Sequence, residues 1–151
     1  MIIVMALLAV VAAIAAPHLA RSMKERNLAD ETRRFLAATE YARSEAESQG
    51  VPMIVWADFD ARRVGIEPKT GFEGEPSRTR EYVLNPDVFM QADQNQKMAQ
   101  TGRGTNLIEF SPDGSVSDNS VETIKMSDRF GYTLLVARTN DRWSYEIQTA
   151  R

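Results

Sequence analysis

Residues 1–49 read MIIVMALLAVVAAIAAPHLARSMKERNLADETRRFLAATEYARSEAESQ, and the change of character inside this stretch decides the fold. The first sixteen residues are all apolar, and eight of them are Ile, Leu or Val. Those eight favour a bilayer by about 2.5 to 5 kcal/mol on insertion scales. At ~1.5 Å per residue the run covers about 24 Å, and counting on to Ala20 gives about 30 Å, the thickness of the hydrocarbon core. Its large side chains include Ile2, Ile3, Leu7, Leu8, Val11 and Ile14. Ala9, Ala13, Ala16 and Ala20 recur at spacings of four, three and four along one side, a small-residue stripe that lets helices approach closely in a membrane. Pro17 is the expected interruption, where the helix should kink or lose a hydrogen-bonded turn. A cleaved signal peptide is the rival reading, because Ala13-Ile14-Ala15 fits a small-residue cleavage site. The missing charged n-region, and a helical pattern that runs on past that site, weigh against it.

Working outward, residues 19–49 keep a helical period. Leu28, Thr32, Phe35, Leu36, Thr39, Ala42 and Ala46 fall at steps of three or four on one face, with Arg33, Arg34, Glu40, Arg43 and Glu47 on the other. Gly50 and Pro52 predict the stop. A continuous helix over residues 1–49 would be a rod of about 73 Å. Beyond Gly50 the period changes to two. Residues 51–58 and 62–67 predict a hairpin around Phe59-Asp60-Ala61. Weaker strand signals occupy residues 82–84 and 88–90, and the polar stretch 91–106 predicts a mobile loop. Strands follow at 107–111, 121–126, 132–138 and 143–147, with turns at Pro112-Asp113-Gly114 and Asn140-Asp141. Trp56, Trp143 and Tyr145 are expected in the sheet core. The fold class is therefore α+β: a transmembrane or assembly segment over 1–20, its amphipathic continuation over 21–50, and a β-rich globular domain over 51–151.

Composition narrows the function. The 151 residues carry 18 Lys and Arg against 21 Asp and Glu, a net charge of −3, so no overall basic field exists to attract nucleic acid. The absence of cysteine excludes disulfides, thiolate metal sites and cysteine nucleophiles. His18, the single histidine, sits beside Pro17 on the helix, a poor place for a catalytic triad. Asp58, Asp60, Asp113, Asp118 and Asp128 stand where turns are expected and read as turn formers before they read as acid–base pairs or, over 113–119, as calcium ligands. Arg103, Arg138, Arg142 and Arg151 are the candidates for a local basic patch. No nucleotide-binding glycine pattern or zinc spacing occurs, so no cofactor and no metal are expected.

Three segments resemble a known family. The apolar run ending Ala15-Ala16-Pro17, the sequence Ala42-Arg43-Ser44-Glu45-Ala46 followed by Gly50-Val51-Pro52, and Phe110-Ser111-Pro112-Asp113-Gly114-Ser115 are similar, in order and spacing, to type IV pilin-like proteins, specifically minor pseudopilins and minor pilins of the GspH and FimT type. The resemblance implies a pilin-like fold, one long N-terminal helix packed on antiparallel sheets. It also implies a non-enzymatic subunit of a type II secretion pseudopilus or type IV pilus, assembled through Ile2, Ile3, Leu7, Leu8, Ala9, Val11, Ala13, Ile14, Ala16 and Pro17.

The partners implied are other pseudopilins or pilins in a fibre, inner-membrane lipid, and a prepilin peptidase and assembly platform. The implied location is the inner membrane, single-pass, with the globular domain in the periplasm. Family members begin with a basic leader and a Phe-Thr-Leu-x-Glu motif, neither of which is present, so the gene product is expected to begin upstream of Met1. Such a leader would outweigh Arg21, Lys24 and Arg26, which by the positive-inside rule alone would hold the domain in the cytoplasm. The alternative reading is a DNA-uptake minor pilin of the FimT kind, and the acidic balance makes nucleic acid an unfavoured partner. A small tethered enzyme is the third reading, with His18 as its only imidazole.

Overall fold

The computed structural model describes residues 2–71, 80–92, 98, 100, 101 and 103–149, with residues 2, 6–25, 100 and 101 described in their backbone alone. One helix, α1 (Ile2–Gln49), runs through Pro17 without ending there. Its buried stripe is the expected one: Leu28, Thr32, Phe35, Thr39, Ala42 and Ala46 are buried, and Leu36 packs partly buried against the core. Two hydroxyls lie in this apolar stripe at little cost, because Thr32 Oγ1 donates to Leu28 O and Thr39 Oγ1 to Leu36 O, each at 2.7 Å. The opposite face carries ion pairs at helical spacing, Arg33 with Asp30, Arg34 with Glu31 and Arg43 with Glu47. Gly50 closes the helix. Its N–H donates to Ala46 O at 3.0 Å and its φ is 66°, a left-handed conformation in which a side chain would be strained.

The chain then turns into β1 (Met53–Asp58) and β2 (Arg63–Pro68), paired from Met53 opposite Pro68 to Asp58 opposite Arg63. This is the expected hairpin. β3 (Arg80–Val83) adds to β2; β4 (Val88–Ala92) crosses to a second sheet; β5 (Gln100–Thr101) pairs with β6 (Gly104–Phe110), which flanks β1 with a bulge at Val55/Trp56. β7 (Thr123–Asp128), β8 (Thr133–Arg138) and β9 (Tyr145–Thr149) complete the second sheet. The orders are β3-β2-β1-β6-β5 and β4-β7-β8-β9, all antiparallel. α1 packs on strands of both sheets, so Phe35, Met53, Val55, Phe110, Ile124, Met126 and Val136 share one core.

Two expectations need correction. The polar stretch 91–106 was expected to be loop throughout, yet β4 runs on to Ala92, β5 lies inside it and β6 begins at Gly104; residues 93–97, 99 and 102 lie outside the described residues. Short edge strands are held by backbone pairing, which polar side chains do not prevent. Second, Trp143 is 41% exposed, whereas Trp56 and Tyr145 are buried as expected. The turn before β9 is wider than Asn140-Asp141 alone. Thr139 N–H donates to Ser144 O at 2.9 Å, Asp141 Oδ1 accepts the Trp143 N–H at 3.0 Å, and Arg142 has a φ of 62°. These bonds keep Trp143 out of the ladder, and its ring lies under the Arg43 guanidinium, 5.5 Å away. Tyr145 is anchored by a bond from its hydroxyl to Val121 O at 2.5 Å, and burial pushes the phenol's pKa up.

Trp56 is opposite Gly65 across the β1–β2 pair, and a Cβ on that glycine would lie 2.3 Å from the Trp56 Cζ2. The indole therefore lies flat over bare backbone. Its Nε1 has no hydrogen-bond partner among the described residues, so packing alone holds it.

Two consequences are measurable by urea denaturation of the full chain in detergent. Phe35→Ala empties the centre of the stripe and is expected to cost about 3 to 5 kcal/mol. Gly65→Ala is expected to cost about 1 to 3 kcal/mol by overpacking, with most of that loss absent in a Trp56→Leu background; equal losses in both backgrounds would refute the contact.

Candidate functional site

The described side chains of α1 divide into two groups. Leu28 is the first of its described side chains to be buried, whereas Ile3, Val4 and Met5 are 77%, 59% and 73% exposed. Three consecutive apolar residues standing open, on a helix with about 100° between neighbours, leave more than one face of that end uncovered. All ten residues expected to form the assembly helix lie within the α1 backbone. Ile3 is the one whose side chain is described; the side chains of Ile2, Leu7, Leu8, Ala9, Val11, Ala13, Ile14, Ala16 and Pro17, like those of Ala20 and His18, lie outside the described residues. Among the described residues no helix is long and apolar enough to cross a membrane.

The candidate carboxylates are occupied in turns. Asp58 Oδ1 accepts the Ala61 N–H at 2.9 Å, which, with Arg63 nearby, holds its carboxyl below the usual range. Asp113 Oδ1 takes both the hydroxyl (2.6 Å) and the N–H (2.9 Å) of Ser115, with the same effect on its pKa. Asp128 Oδ1 takes the N–H groups of Phe130 (2.8 Å) and Tyr132 (3.0 Å). Asp141, lowered by the Thr139 hydroxyl and the Trp143 N–H, is a further case that the sequence pattern left as a bare turn. Stabilised as anions, Asp58, Asp113 and Asp141 are poor general acids at neutral pH. No group of metal-binding side chains occurs among the described residues. The candidate basic patch is divided in the same way. Arg103 pairs with Glu67 (3.3 Å), Arg138 with Glu122 (3.1 Å) and Arg142 with Asp118 (2.5 Å), while Arg151 lies outside the described residues.

One surface was not anticipated. The β1–β2 turn, the β3–β4 connection and the β7–β8 turn meet at one end of the domain. There Arg62 donates to Pro86 O and lies 5.1 Å over the Phe89 ring, and Arg129 pairs with Asp87. Phe59, Phe89, Phe130 and Tyr132 are 38%, 43%, 51% and 40% exposed around this junction. Phe59, Arg62, Leu84, Val88 and Phe89 line a shallow groove in it. Phe59 and Phe130 in turn sequences, with Phe89 and Tyr132 in or beside strands, give no common signal; their convergence required the tertiary fold.

Three solved structures share this architecture. A structure of the minor pseudopilin EpsH from the type 2 secretion system of Vibrio cholerae is 13% identical, with a TM-score of 0.55 over 78% of this chain and 92% of that one. A second EpsH structure from V. cholerae is 12% identical, with a TM-score of 0.57 over 85% and 97%. The type IV minor pilin FimU of Pseudomonas aeruginosa is 17% identical, with a TM-score of 0.56 over 85% and 92%. At these identities the likeness concerns the fold: one long helix on two antiparallel sheets, the pilin-like arrangement expected from the sequence. No curated protein matches the chain. The family model described as type II transport protein GspH matches residues 31–150, from the middle of α1 to the end of the second sheet. The chain belongs to the GspH family of type II transport proteins.

Proposed function

We propose that the chain is a non-enzymatic structural subunit, a minor pseudopilin or minor pilin, that assembles with other pilin-like subunits through α1. The observation that carries this reading is the division of α1: a stripe from Leu28 to Ala46 is core of the β domain, while Ile3, Val4 and Met5, about 35 Å of helix before Leu28, stand exposed. An exposed apolar helix end is stable only in lipid or against other helices, and the two environments are those of a subunit before and after assembly. Family membership and the folds of EpsH and FimU support the structural role. On this reading residues 1–20 form a single inner-membrane span with the domain in the periplasm, and the stripe Ala9, Ala13, Ala16 and Ala20 is the face on which neighbouring helices approach. Processing by a prepilin peptidase and delivery by an assembly platform belong to the same proposal. The turn-bound carboxylates and the lack of a nucleophile–base pair among the described residues favour a structural over a catalytic role.

Leu8→Arg tests the anchor. A charge at the centre of the apolar run costs about 2.5 to 3.5 kcal/mol of insertion, so the full chain should resist alkaline carbonate extraction from membranes and the variant should be released. Equal release of both would overturn the anchor. DNA affinity separates the alternative reading. Because the described arginines of the basic patch are paired with carboxylates, the chain is expected to leave DNA unshifted at low salt. A complex whose log K falls by about 0.9 per neutralised phosphate against log salt would support a DNA-uptake pilin instead.

A further inference from the structure

We propose that the end of the β domain bearing Phe59, Phe89, Phe130 and Tyr132 docks on the headgroup layer of an anionic bilayer. This rests on the membrane anchor proposed above and adds a second contact to it.

The direction in which this end faces follows from two ring contacts. On β3, the Arg80 guanidinium lies 4.2 Å over Tyr41, and two residues later the Tyr82 ring lies 4.1 Å under Arg34. Moving from residue 80 to 82 therefore moves the strand from helix position 41 to 34, toward the start of α1. The chain continues the same way to Leu84, whose N–H donates to Arg62 O at 2.8 Å, and to Pro86 and Asp87, which hold Arg62 and Arg129. The aromatic cluster at these three connections thus lies at the end of the domain that faces the start of α1. β8 leads away from this end, so the β8–β9 turn with Trp143 is at the other.

Distance makes the contact attainable. Leu28, the first buried of the described side chains, is eight positions beyond Ala20, the last residue before Arg21, which is about 12 Å of helix. The headgroup layer occupies roughly 5 to 7 Å on each side of the hydrocarbon core. A helix tilt of about 20°, average for membrane helices, lowers one edge of the domain further. A surface held so near by a tether meets the bilayer at high effective concentration, so weak contacts suffice.

The chemistry fits that layer and not bulk water. Half-exposed aromatic rings with basic residues close by are the composition of surfaces that lie in the membrane interface. At this end Asp87 pairs with Arg129, Asp58 with Arg63, and Asp128 accepts backbone N–H groups, with Asp60 in the first turn and Arg62 over the Phe89 ring. The attraction to anionic lipid therefore comes chiefly from Arg21, Lys24 and Arg26 along the short connecting helix. Positive charge close to a surface of anionic lipid is attracted over about a Debye length, roughly 8 to 10 Å.

The absence of cysteine permits single-site labelling of the full chain. Asp60→Cys reports the aromatic end, Asn140→Cys the opposite end and Ile14→Cys the anchor, each carrying an environment-sensitive dye in vesicles of phosphatidylcholine with or without phosphatidylglycerol. Spin-labelled lipids are the quenchers. The expected result is deep quenching at position 14, shallow quenching at position 60 that is stronger with phosphatidylglycerol, and none at 140. Adding Phe59→Ser, Phe89→Ser and Phe130→Ser should reduce quenching at 60 severalfold while leaving 14 unchanged. Quenching at 14 with none at 60 overturns the docking surface and leaves the anchor standing; no quenching at 14 overturns the anchor. A dye shift at 60 that lipid quenchers do not touch, and that disappears on dilution with lipid, assigns this end to contact between proteins and overturns the proposal.

Discussion

Removing the helical stripe from Leu28 to Ala46 from water is the constraint to which the β domain answers. The stripe is longer than one short sheet can cover, because strands of five or six residues span about 17 to 20 Å while nineteen helical residues span about 28 Å. Two sheets are therefore used, and α1 makes contact with strands of both. The interior is supplied jointly by Phe35 from the helix, Met53 and Val55 from one sheet, and Ile124, Met126 and Val136 from the other. Neither sheet has a complete core without the helix.

This dependence explains what could be read in advance. The stripe, the Gly50 stop and the first hairpin follow from local periods of 3.6 and 2, which one strand or helix carries in itself. The short strands β5 and the start of β6 were missed because edge pairing is decided by the neighbour's backbone and leaves little trace in side-chain pattern. Trp143 was misplaced for a related reason. Its alternation with Tyr145 and Ile147 is a strand signal, but the Thr139–Ser144 bonds and the Asp141 cap decide otherwise, and those bonds depend on how β8 and β9 approach. The apolar run at the start of α1 is legible in the sequence as such. The aromatic end was not, since its rings come from residues 59, 89, 130 and 132, gathered only when three distant connections meet.

The carboxylates teach the same lesson about function. Asp58, Asp113, Asp128 and Asp141 each bind backbone N–H groups within four residues, a use that follows from short acidic side chains in tight turns. Among the described residues Arg63, Arg103, Arg129, Arg138 and Arg142 pair with acids, and Arg34, Arg62 and Arg80 lie over rings. Polar groups committed in this way hold the loops of the described domain in place.

The paired contacts of β3 with α1 also have a mechanical meaning. Arg34 on Tyr82 and Arg80 on Tyr41 place a cation on each element and a ring on the other, in reversed order along the axis. A pull applied along the helix loads both contacts, and the whole packed stripe with them, in shear. Bonds loaded in parallel must yield together, whereas those at a peeling edge yield one at a time. A subunit held by its helix and tugged along the axis is thus gripped in the direction in which its parts are hardest to separate.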